Sequence, residues 1–77
     1  MKFEVYGRVG CQNCMTAKTM LHRTSKKNES ISYEYLEYDE HKDKLVEQFG
    51  EQKSLPVIVL NGNEQVQFHN LESKLKG

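Results

Sequence analysis

The stretch Phe3-Glu4-Val5-Tyr6-Gly7-Arg8-Val9-Gly10-Cys11-Gln12-Asn13-Cys14 joins a β-prone run to a glycine-bounded loop and then to two cysteines separated by two residues. Residues 3–6 read as a strand, and residues 7–10 as the loop that delivers the chain to the cysteines. Beyond Cys14, the residues Ala17, Met20, Leu21 and Thr24 recur at helical spacing. Lys18, Arg23, Lys26 and Lys27 are left for solvent and for the C-terminal end of the helix dipole. The spacing predicts a helix that finishes near Asn28.

Downstream, Ile31, Tyr33 and Tyr35 alternate with Ser32 and Glu34, which predicts a second strand over residues 31–38 with one wetter face. Asp39 is the expected N-cap of a helix that buries Leu45, Val46 and Phe49, with Gly50 as its left-handed terminator. A polar loop, residues 51–54, precedes the apolar run Val57–Leu60, the pattern of a strand covered on both faces. Asn61-Gly62 then signals a tight type I′ turn into an edge strand over residues 65–68. Asn70 is the expected cap of a last short helix carrying Leu71 and Leu75. The order βαβαββα predicts an α/β fold. Its first two strands are parallel through a right-handed crossover, and the hairpin adds an antiparallel pair. This is a minimal thioredoxin-like layout, a four-stranded mixed sheet with helices on both faces.

Seventy-seven residues allow one domain, residues 1–77, at a size where apolar burial barely outweighs chain entropy. Eleven Lys plus Arg balance eleven Asp plus Glu, so electrostatic capture of nucleic acid or of an anionic membrane is not expected. No run reaches the roughly 20 apolar residues of a membrane span, and the opening MKFEVYGRVG lacks the apolar core of a signal peptide. A cytoplasmic monomer is therefore expected. Two cysteines this close make a poor structural staple, because so short a loop restricts the unfolded chain little. In a reducing compartment the pair reads as chemistry.

With the helix starting at Cys11, both sulfurs lie on one face of the first turn, close enough for a disulfide. The unpaired N–H groups there favour a thiolate at Cys11, and Arg8 is expected to add positive charge. Cys11 would attack a substrate disulfide, and Cys14 would resolve the mixed disulfide. Two readings stand beside this one. The pair could be two unreactive thiols, one of them filling the core. It could also hold zinc or an iron-sulfur cluster in a dimer, since a tetrahedral site needs about four ligands and His22, His41 and His69 are scattered.

The segments Tyr6-Gly7-Arg8-Val9-Gly10-Cys11-Gln12-Asn13-Cys14 and Ser54-Leu55-Pro56-Val57 together resemble the glutaredoxin family, including its relatives that reduce ribonucleotide reductase. The resemblance implies a protein-disulfide reductase with Cys11 and Cys14 as catalytic pair and Arg8, Gln12, Asn13, Leu55 and Pro56 as substrate contacts. It further implies a cis Leu55–Pro56 bond that leaves the Leu55 backbone free to hold an extended substrate. No metal and no tightly bound cofactor is implied. The electron source would be glutathione or thioredoxin reductase, and the clients protein disulfides, ribonucleotide reductase among them. Glutathione-using members carry a Gly-Gly pair, a polar residue and Asp after the hairpin. This chain reads Val66-Gln67-Phe68-His69-Asn70, so Val66 and Gln67 are expected to crowd the tripeptide. Gln12-Asn13 stands closer to the glutathione-independent redoxins, in which a Phe and a basic residue resemble Phe68-His69.

Overall fold

In the computed structural model, which describes residues 1–76, β1 (Lys2–Gly7) leads into α1 (Gln12–Lys27), β2 (Ser32–Glu37) and α2 (Tyr38–Phe49). Then come β3 (Val57–Leu60), β4 (Glu64–Val66), a 3-10 turn (Phe68–Asn70) and α3 (Leu71–Lys76). The sheet order is β2-β1-β3-β4. β1 is parallel to β2 and antiparallel to β3, and β3 is antiparallel to β4. The expected βαβαββα order and mixed four-stranded sheet are therefore present.

Alternation along the strands builds two cores. Phe3, Val5, Ile58, Leu60 and Val66 meet Ala17 and Leu21 of α1 and Leu71 of α3 on one face. Tyr6, Val57 and Val59 meet Tyr38 and Leu45 of α2 on the other. All four residues of β3 are buried, as a strand sandwiched between helices requires. Among the described residues, no helix is long and apolar enough to cross a membrane.

Several boundaries differ from the sequence expectation. Asp39 does not cap α2. Glu37 holds the cap position without a side-chain bond, and the strand ends there because Tyr38, only 5% exposed, already belongs to the α2-side core. Gly50 terminates α2, its N–H donating to the Val46 carbonyl at 2.8 Å. Its φ of 85° and ψ of 178° lie outside the left-handed helical region, in territory open essentially to glycine alone. Asn61 and Gly62, at φ 54° and 79°, form the expected primed turn. The last strand stops at Val66, because the Asn70 N–H closes onto the Gln67 carbonyl at 2.9 Å and carries Phe68 into a 3-10 turn. Asn70 is thus the end of that turn, and α3 follows directly.

Candidate active site

Gly10, at φ 86°, turns the chain so that Cys11 becomes the N-cap of α1. The Cys11 sulfur accepts a hydrogen bond from the Cys14 N–H at 3.3 Å. In the same turn the Met15 N–H donates to the Cys11 carbonyl at 3.1 Å. An N-cap side chain normally satisfies one of the orphan donors of the first turn, and here the acceptor is sulfur. The Cys11 sulfur therefore stands at the positive end of the α1 dipole.

Cys14 is the opposite case. It shares the buried stripe of α1 with Ala17 and Leu21 and is wholly inaccessible, whereas Cys11 is partly exposed. Burial, then the hydrogen bond to Cys11 and the Cys11 charge, push the Cys14 thiol up to about 11. Both cysteines are free thiols, one presented and one held back in protonated form. Gly7 makes this packing possible. A Cβ there would lie 2.6 Å from the Tyr35 hydroxyl, 2.7 Å from the Cys14 sulfur and 2.8 Å from the Cys14 Cβ. Nothing in the sequence marks Gly7 as more than a loop glycine, because the constraint comes from two side chains on other elements.

Arg8 departs from expectation. Its guanidinium forks onto Asp39, with Nη2 at 2.7 Å from Oδ1 and Nε at 3.0 Å from Oδ2, and it lies over the Tyr38 ring at 5.5 Å. The hydrogen bond to Arg8 holds the Asp39 carboxyl below its ordinary range. The positive charge expected beside Cys11 is therefore compensated, and Asp39 does this in place of capping α2.

The Leu55–Pro56 peptide bond is cis, as the resemblance implied. Leu55 precedes the paired part of β3, and its backbone N–H and C=O have no hydrogen-bond partner among the described residues. The loop before Pro56 separates two hollows. A groove of about 500 Å³ runs past Cys11, with Arg8, Lys42, Lys53, Leu55 and Tyr38 in its walls and no carboxylate among its lining residues. A second hollow, about 440 Å³, is bordered by Asn13, Pro56, Gln65, Gln67, Phe68 and His69. Gln52 faces both, anchored by its amide to the Gly50 carbonyl at 2.9 Å and accepting from Gln65 at 2.6 Å.

Of the expected substrate contacts, Arg8 and Leu55 thus share the groove with Cys11, while Asn13 and Pro56 border the neighbouring hollow. Gln12 does neither. It looks onto the outer side of α1 with Met15, Thr16 and Thr19, because one residue of helix rotates it about 100° away from Asn13. Val66 does not border that hollow either. Strand alternation turns it inward, 3% exposed, so Gln67 alone borders the hollow. Lys42 was not among the expected substrate contacts, yet it lines the groove. Lys42 lies one turn beyond the groove residue Tyr38, an i, i+4 relation that could have placed it there. Among the described residues no cluster of three or more His, Cys, Asp or Glu forms, so one copy offers the cysteine pair no further metal ligand.

No family model and no curated protein matches the sequence. Among solved structures the chain is similar to the oxidised glutaredoxin of Escherichia coli, determined by NMR, with a TM-score of 0.80 and 21% identity. The match covers 99% of this chain and 94% of that one. The chain therefore has a glutaredoxin-like thioredoxin fold, with its cysteine pair at the start of the first helix.

Proposed function

We propose that the chain is a thiol-disulfide oxidoreductase that reduces protein disulfides through Cys11 and Cys14. The observation that carries this reading is the asymmetry of the pair. Cys11 caps α1 at the edge of an open groove, and Cys14 is buried one turn behind it as a thiol. The Cys11 thiolate attacks one sulfur of a substrate disulfide, forming a mixed disulfide and expelling the other sulfur as a thiolate. Cys14 then loses its proton and attacks the Cys11 sulfur. The remaining substrate thiolate leaves and takes up a proton, so the substrate gains two electrons and the chain retains the disulfide. The unpaired Leu55 backbone beside the groove suits an extended segment docking as a short strand.

In this reading the protein works in the cytoplasm as a monomer, and ribonucleotide reductase is a candidate client. Glutathione or thioredoxin reductase restores the dithiol. The test is to oxidise the protein, offer glutathione alone or thioredoxin reductase with NADPH, and count returning thiols. Recovery of two thiols with either supports the reading and identifies the source. Disulfide reduction that continues at the wild-type rate in C11S overturns it.

A further inference from the structure

The resolving thiol has an unused neighbour. Tyr35 projects from β2 beneath α1, and its hydroxyl and the Cys14 sulfur flank one point, where a Gly7 Cβ would stand, at 2.6 and 2.7 Å. Lys18, one turn beyond Cys14 on α1, places its ammonium 5.1 Å from the centre of the Tyr35 ring. A cation over the ring draws electron density from the phenol and makes its O–H a better donor. Glycine at position 7 leaves the space between phenol and sulfur clear.

We propose that Tyr35 is a positioning residue for the resolving step, its hydroxyl steadying the Cys14 sulfur as negative charge develops there, with Lys18 holding the ring. The inference rests on the assignment of Cys14 as resolving thiol. As Cys14 S–H passes its proton to solvent and its sulfur attacks Cys11, the phenol of the half-buried Tyr35 supplies a donor on that sulfur's side of the helix. The charged or titratable neighbours that bear on this are Cys11 and Lys18 on α1, Arg8 in the loop before it, and Tyr35 and Glu37 on β2. Tyr35 stays a donor through the working pH range, because burial, followed by the charges of Cys14, Glu37 and Cys11, raises its own proton affinity.

Reaction with dithiobis-nitrobenzoate separates the steps, since each releases one coloured thiolate. Attack by Cys11 releases the first and forms the mixed disulfide. Attack by Cys14 releases the second and closes the Cys11–Cys14 disulfide. Tyr35→Phe keeps the ring and the packing. It should leave the first phase unchanged, slow the second about tenfold and displace its pH profile upward, the size expected for losing one hydrogen bond to a charged group. Lys18→Gln should slow the second phase less, and Lys18→Arg should restore it. Equal slowing of both phases, or an unchanged second phase in Tyr35→Phe, overturns the inference alone. A wild-type chain that releases a single equivalent overturns the resolving role of Cys14, and this inference with it.

Discussion

A methyl group at Gly7 would meet the Cys14 sulfur and Cβ inside 3 Å. The Tyr35 hydroxyl could swing away, but Cys14 is fixed by the backbone of α1, so Gly7→Ala must push the helix off the sheet. The expected cost is about 1–3 kcal/mol, checked by urea unfolding of the reduced protein. Asp39 offers a second test. With Arg8 bound to it, the groove's uncompensated cations are Lys42 and Lys53. Asp39→Asn should free Arg8 and speed the reaction of Cys11 with an anionic disulfide by about two- to fivefold, a gain that fades as salt is added. In the wild type the pair contributes above the ordinary Asp range and is lost as pH falls through the lowered Asp39 value. Sequence alone singled out Cys11, Cys14, Arg8 and the proline loop as candidates, because each belongs to a short contiguous motif. Gly7, Tyr35, Lys42 and the partner of Arg8 stayed hidden, since Arg8 and Asp39 lie 31 positions apart and only the fold brings them together.

The elements were the easiest scale to anticipate where one periodicity held throughout. In α1, Cys14, Ala17 and Leu21 fall on one buried stripe, which continues the spacing that predicted the helix. Leu21→Ala should therefore cost about 2–5 kcal/mol, whereas Met15→Ala, at a half-exposed position on the same helix, should stay within about 0.5 kcal/mol. Equilibrium unfolding of the two variants compares them directly. Expectation failed where two patterns overlapped. Tyr38 continues the tyrosine series of β2 yet fills the core as the first residue of α2, and Phe68 continues the alternation of β4 yet opens a turn. Neither alternation nor capping preference can show that a buried position on another face claims such a residue.

Across the whole molecule, buried acidic protons at Tyr6 and Cys14 contribute to alkaline stability. Burial pushes Tyr6 up to about 12, and burial with Cys11 pushes Cys14 up to about 11. Because both values are raised, each contribution is complete below the ordinary value, 9.0 for the thiol and 10.0 for the phenol, and is lost as pH rises through the folded value. The reduced protein should begin to lose Tm above pH 9.0, and the oxidised protein, which has no Cys14 thiol, only above pH 10.0. Thermal melts of both forms across alkaline pH check this. The two-faced architecture itself was readable in the fully apolar β3 and the alternating β1, since a central strand needs cover on both sides. The loop before Pro56 carries a different consequence. Gln52, Lys53, Ser54 and Leu55 are a party wall between the Cys11 groove and the hollow beside Phe68. Two occupants would lean on the same four residues, so any change that one makes in the other's affinity is returned by an equal factor, whatever the distance between their reacting atoms.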